Sequence, residues 1–330
     1  MLPPFALEYI SGGIRAIPWR PSKIGSGGLV TVTSAIGRIG IWTGQLDPQP
    51  STRAREAVRA LEALGYGAVW FPESLGREAL TNAGVLLAGS GRIVVATGIA
   101  NIYARDAVAT ANAQKTLCEA YPGRFLLGLG VSHAPSVEQI RGHRYGPPVA
   151  VMRAHLDAMD RAPFRSVAPA AEPERVLAAL GPKMLALAAE RAAGAHTYFV
   201  PPEHTARART ILGRGRLLAV EQAVVLEQDG AAARAIARSH TSVYVKLANY
   251  ARNLRRLGFD ERDLAGGGSD RLVDAIVVWG ALDAVVGRVR AHEAAGADHV
   301  CVQVLTADRQ TLPTAEWREL AGALVPGQAR

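Results

Sequence analysis

The stretch "RFLLGLGVSHAP", residues 124–135, decides how the fold is read. It is apolar at consecutive positions from Phe125 to Leu127 rather than at alternate ones, and then breaks at Gly128 and Gly130 before reaching Ser132 and His133. A strand that is apolar at every position is covered on both faces, as parallel strands between helices are. Runs of the same kind recur at "IGIW" (39–42), "AVWF" (68–71), "RIVVATGI" (92–99), "RVLAAL" (175–180), "TYFV" (197–200), "LLAVEQAVVL" (217–226) and "HVCVQVL" (299–305). Amphipathic stretches lie between them. In "STRAREAVRALEALGYG" (51–67), for example, Val58, Leu61 and Leu64 mark a helix face and Gly65 its end.

Strands followed each by a helix, eight in all, predict an α/β protein: a single TIM-type (β/α)8 barrel. Two connections are too long for one helix, residues 132–174 and 229–298, and they predict insertions after strands 4 and 7. Such additions sit at the C-terminal ends of strands, where a barrel builds its site. Residues 1–36 hold Pro3, Pro4, Pro18, Pro21 and "GSGG" (25–28) with no sustained period, and they read as a disordered N-terminal extension. The barrel then occupies residues 37–330.

The composition of the 330 residues is globular, 49% hydrophobic and 20% charged, with no apolar run long enough to span a bilayer. Neither a membrane nor a secretory signal is expected. Cys118 and Cys301 supply no disulfide framework and no metal-spaced cluster, which fits a reducing cytoplasm and no metal site. The formal charge of +8 is carried mostly by arginine. Its densest groups, Arg207 to Arg216 and Arg252 to Arg256, lack interleaved aromatic residues and read as solvated helix faces, so no nucleic-acid partner is expected.

The residues at the strand ends carry whatever chemistry the barrel has. Gly98 near the end of strand three and Gly128 and Gly130 in strand four have two explanations. They clear a flat, backbone-lined wall suited to a planar ring, or they let neighbouring elements pack closely. His133 is the one histidine expected at a strand's mouth; it is either a proton donor and acceptor or a loop histidine held by hydrogen bonds. Glu73, after strand two, is either a second titratable group or a helix-start carboxylate. No Gly-x-Ser-x-Gly elbow and no Walker-type loop is present.

In "ALEALGYGAVWFPE" (60–73), "SGRIVVATGIANIYARD" (90–106), "AQKTLCEAYPGRFLLGLGVSHAP" (113–135) and "LGPKMLALAAERAAGAHTYFVPPEH" (180–204), the chain resembles the bacterial luciferase-like superfamily. Among its members it is most similar to the actinobacterial coenzyme F420-dependent oxidoreductases, from about Gly37 to Leu324. The resemblance implies a barrel whose mouth holds coenzyme F420, a deazaflavin, or alternatively FMN, with hydride passing between the ring and a small organic substrate. It implies a bulge with a non-prolyl cis peptide at Gly98 and Ile99 behind the ring, and a polar cofactor contact at Asn101. It also places cofactor contacts at Gly130, Val131 and Ser132, a catalytic position at His133, and a phosphate-binding turn at Gly181, where a helix start suits an anion. Sugar-phosphate and alcohol dehydrogenases of the group end strand two in Asp-His, whereas this chain has Pro72 and Glu73. Glu73 and His133 are therefore the expected acid/base pair. The departure also leaves open an FMN-dependent monooxygenase or a barrel that binds cofactor without turnover. A homodimer is expected from the family.

Overall fold

Strands β1 (Ile39–Trp42), β2 (Ala68–Phe71) and β3 (Val94–Thr97) pair in parallel in chain order. The two-residue β4 (Ala100–Asn101) continues β3 beyond a bulge, and both pair with β5 (Phe125–Gly130). The ring goes on through β6 (Arg175–Ala178), β7 (Gly194–Thr197) and β8 (Leu217–Val225). It closes where β10 (His299–Val304) pairs with both β8 and β1, and β9 (Val277–Trp279) adds to the upper half of β8 outside the ring. The computed structural model, which describes residues 31–325, is thus a closed eight-stranded parallel barrel of the TIM type.

The unbroken apolar strands have the reason expected of them. Successive side chains point in opposite directions, so Ala68 and Trp70 fill the barrel while Val69 packs on helices. The outer layer is made by α2 (Ser51–Ala63), α3 (Ala79–Leu87), α4 (Ala107–Ala120), α5 (Pro148–Asp160), α6 (Pro182–Arg191) and α7 (Pro202–Leu212). Beyond β8 come α8 (Gly230–Tyr244), α9 (Ala248–Arg256), α10 (Glu261–Leu264) and α11 (Asp270–Ile276). The layer is completed by α12 (Leu282–Ala294) and α13 (Thr314–Leu324). The first four of the helices after β8 carry their own apolar cluster, including Phe199, Tyr250, Leu254 and Leu272. Among the described residues no helix is long and apolar enough to cross a membrane.

Two expectations need correction, the sixth strand and the end of the N-terminal extension. The sixth strand is "GAHT" (194–197), three residues earlier than "TYFV", because the apolar signal of Tyr198, Phe199 and Val200 belongs to the loop above the strand. Phe199 there adopts a left-handed backbone (φ 60°), which a continuing strand excludes. The third strand is interrupted at Gly98 and Ile99, which leave the ladder between β3 and β4 in the bulge that the resemblance implies.

The extension read over 1–36 lies mostly outside the described residues, but its final part is folded. A short helix, labelled α1 (Val32–Ala35), and the following Ile36 close the N-terminal end of the barrel. Val32 and Ile36 are buried with Trp70, Val94, Leu126 and Val176, and the Thr33 amide and hydroxyl each donate to Glu174 at 2.9 Å. The i, i+4 apolar pair, not the glycine-rich text before it, decides this segment. Ile36→Ala should therefore cost about 2–4 kcal/mol in equilibrium urea unfolding. A loss below about 0.5 kcal/mol, the size of an ordinary surface change, would mean that the helix plugs nothing.

Candidate active site

Two joined hollows of about 380 Å³ each open at the C-terminal ends of the strands. They share Ile99, Ser132, His133, His196 and Tyr198, so they form one mouth with two arms. A larger groove of about 960 Å³ lies at the opposite end, beside Val32, Cys118 and Glu174. The mouth is the better site, since strands of parallel barrels present their working residues at their C-terminal ends.

The back wall is the bulge between β3 and β4, where the peptide bond between Gly98 and Ile99 is cis. The Gly98 amide donates to the Phe71 carbonyl at 2.7 Å, and the Trp42 indole donates to the Gly98 carbonyl at 3.2 Å. Glu73 ties the bulge down from behind. Its amide donates to the Ile99 carbonyl (3.2 Å), and its carboxylate accepts from the amides of Asn101 (2.7 Å) and Ala79 (3.1 Å) and pairs with Arg105. Its side chain is 3% exposed. The carboxylate thus ties the amides of two segments and Arg105 to the bulge, which braces the wall.

The glycines of β5 divide between the two explanations. A Cβ on Gly128 would lie 2.1 Å from the Thr97 carbonyl oxygen, so close backbone packing is its reason. A Cβ on Gly130 would collide with the Ile99 side chain, which occupies the space beside it. Gly130, Val131, Ser132 and His133 do line the first arm, with Ser132 in a left-handed conformation (φ 55°) that turns the chain across the mouth. Asn101 lines the second arm, its side-chain carbonyl holding the Tyr103 amide at 3.0 Å.

His133 stands between the arms, its ring 5.7 Å from that of Tyr250, and burial holds its pKa below the usual histidine value while the facing Asn249 side chain partly offsets this. It is therefore neutral near pH 7 and able to accept a proton.

The first arm ends at Gly181, which caps α6 without a side-chain partner and is followed by Pro182 and Lys183. Arg252 and Arg256, one turn apart on α9, line the same end; Arg256 reaches to 3.1 Å from where a Gly181 Cβ would be. Among the described residues neither arginine has a carboxylate partner. A helix start, a lysine and two unpaired guanidinium groups make this an anion cradle. Sequence reading took these arginines for a solvated face; their i, i+4 spacing on a helix of the long connection was the available signal. Arg255 faces away and pairs with Glu261.

Sequence reading also missed His196 and Glu221, which point into the barrel beneath the mouth. Misplacing the sixth strand put His196 in a connection, whereas β7 carries it inward, 2% exposed and stacked on Trp70 with ring centroids 4.5 Å apart. Burial pushes its pKa to about 3. Glu221, 1% exposed, accepts from the Phe199 amide at 3.0 Å with one oxygen while the other has no partner. Burial raises its pKa to about 8.

The sequence of residues 33–299 matches the family model described as luciferase-like monooxygenase. The chain belongs to the luciferase-like monooxygenase family. A Mycobacterium tuberculosis protein named as a coenzyme F420-dependent oxidoreductase is 27% identical, the match covering 82% of this chain and 95% of that one. Two solved structures share the fold. An F420-dependent secondary alcohol dehydrogenase in complex with an F420-acetone adduct superposes with a TM-score of 0.70 at 15% identity, covering 87% of this chain and 98% of that one. The oxygenating constituent of a Pseudomonas putida 3,6-diketocamphane monooxygenase with FMN gives 0.64 at 14% identity, covering 86% and 96%.

Two stability measurements test the placements in this luciferase-like barrel. Glu73→Gln weakens buried charge-assisted hydrogen bonds while Arg105 keeps its pair with Glu78, and with no cofactor present it should lower stability by about 1–3 kcal/mol; a variant as stable as the parent would mean that Glu73 does not brace the wall. Glu221 stays protonated in the fold up to about pH 8 but ionises above 4.5 when unfolded. The folded state thus binds more protons between those values, and stability contributed there falls as pH rises. Melting temperature should decline from pH 6.5 to 8.5 and do so much less in Glu221→Gln; parallel pH profiles would contradict the assignment.

Proposed function

We propose that this luciferase-like enzyme is an oxidoreductase that passes a hydride between coenzyme F420 and a small organic substrate. The observation that carries the reading is the continuity of the first arm: a wall of backbone and Ile99 at one end, and the cradle of Gly181, Lys183, Arg252 and Arg256 at the other. That shape and charge fit a flat ring with an anionic tail. The name of the mycobacterial relative and the cofactor of the alcohol dehydrogenase neighbour support F420. The FMN of the camphane enzyme supports a second reading, a monooxygenase.

When bound, a deazaflavin supplies a two-electron carrier that gives or takes hydride. The chain's own part is to hold and to move a proton. Ile99 and the Gly130 to Ser132 backbone would bound the ring, and Gly181, Lys183, Arg252 and Arg256 would hold the anionic end. The neutral imidazole of His133 accepts the hydroxyl proton of a substrate being oxidised and returns it in the reverse direction. Glu73 keeps the wall in place, and Asn101 holds the chain beyond it. We read the working form as a cytoplasmic homodimer.

Fluorescence titration with oxidised and reduced F420 and with FMN separates the two readings. F420 binding that weakens with salt, as a cationic cradle requires, is expected; tight FMN binding with none for F420 would overturn the first reading. His133→Ala should lower turnover at least about 100-fold, the usual size of a general-base contribution, with cofactor affinity changed by less than about threefold. An unchanged rate would remove His133 from the proton chemistry.

A further inference from the structure

Four tyrosines line the mouth, and among the described residues three of their hydroxyls are engaged. Tyr145 donates to the Ser132 carbonyl at 3.3 Å, and the Tyr198 hydroxyl is hydrogen-bonded to Gln303 and Tyr244, both at 2.9 Å. Tyr250 is the exception. Its side chain lies in the apolar cluster of the helices after β8 and the residue is 9% exposed, yet its hydroxyl has no hydrogen-bond partner among the described residues. The nitrogens of His196 are sealed inside the barrel, whereas the Tyr250 hydroxyl opens onto the hollow that its side chain lines. A buried tyrosine hydroxyl ordinarily finds a partner, so one left open toward a cavity points to a ligand.

The packing around Tyr250 leaves it little freedom. Its ring is met edge-on by Phe199, at 5.5 Å and 75°, and by Tyr244, at 5.2 Å and 86°. The phenolic oxygen lies on the axis about which a tyrosine ring flips, so the packing fixes where that oxygen stands and only the O–H direction can turn. Burial, with Tyr244 and Glu221 nearby, holds its pKa well above the usual tyrosine value. It therefore keeps its proton and can donate it to a hydrogen bond. Tyr250 lines both arms and its ring stands 5.7 Å from that of His133, so a donor and a proton acceptor face the place where the arms join.

We propose that Tyr250 is a second catalytic residue of the site, its hydroxyl donating to the substrate oxygen whose proton His133 takes. In the direction of oxidation a hydride, carrying two electrons, leaves the substrate carbon for the cofactor, and the proton on the oxygen passes to His133. Tyr250 keeps its own proton throughout, and its hydrogen bond stabilises the negative charge that gathers on the oxygen as that proton leaves. The reverse reaction retraces these transfers. The assignment deepens the proposed hydride transfer and rests on it.

Butyramide is a suitable probe, because its carbonyl accepts from an O–H, its N–H donates to a neutral imidazole, and it undergoes no hydride step. In protein labelled with 13C at the tyrosine Cζ, butyramide added without cofactor and again with F420 should shift one resonance, identified as Tyr250 by its absence from Tyr250→Phe. That variant keeps the ring contacts, and it should bind butyramide about tenfold more weakly, the worth of one hydrogen bond to a buried group. Its melting temperature should not fall, since the hydroxyl has no protein partner to lose. No saturable butyramide binding in either condition, or an unchanged affinity in Tyr250→Phe, would overturn the proposal. So would a Tyr250 resonance that answers to F420 alone, which would assign the hydroxyl to the cofactor. Butyramide binding that depends on Tyr250 in a protein that binds no F420 would instead overturn the cofactor reading and leave the donor in place.

Discussion

The site depends on how one carboxylate is held. Where β3 leaves the ladder at Gly98, the backbone of the barrel would otherwise expose unpaired amides and carbonyls at the most open point of the ring, and Glu73 answers for several of them. Its amide takes the Ile99 carbonyl, its oxygens take the amides of Asn101 and Ala79, and Arg105 balances the charge. Trp42 adds the bond to the Gly98 carbonyl from the opposite side. A buried charge is tolerable only when paired and hydrogen-bonded, and this one is both. The wall against which a ring would rest is thus tied down on its buried side, with Ile99 lining both arms and Asn101 the second.

The barrel was legible because parallel strands buried on both faces leave a signal in the text that needs no partner to interpret. "AVWF" is apolar, and "LLAVEQAVV" is apolar on both sides of Glu221 and Gln222, whatever stands beside them. "GAHT" is not, and β7 is a strand only because β6 and β8 flank it; its neighbour "YFV" is more apolar and packs against the helices after β8. The same logic governs the site. His133 and Gly181 could be placed from position along the chain, since strand ends and helix starts are local features. The bracing role of Glu73 requires Arg105, far along the chain, and the reason for Gly128 is the carbonyl of Thr97 on the next strand. His196 is held in place by its stack on Trp70 across the barrel. None of these pairings has a spacing that a sequence displays.

The electrostatics beneath the mouth follow from the same packing. Burial leaves His196 and His299 unprotonated, with pKa values near 3 and 4, while Glu221, near 8, keeps its proton at neutral pH. All three interior groups are therefore uncharged under ordinary conditions, and burial achieves this for a base and an acid by opposite shifts. Among the described residues the unpaired cations of the first arm, Lys183, Arg252 and Arg256, are gathered at its far end, while Arg141 stands at the edge of the second arm. The first arm thus runs from the uncharged bulge to a cationic end. An anionic molecule is oriented by that contrast before any specific contact is made, because its charged end gains at the cradle and loses beneath the barrel's mouth. That contrast follows from which residues the barrel buries and which it leaves on α9.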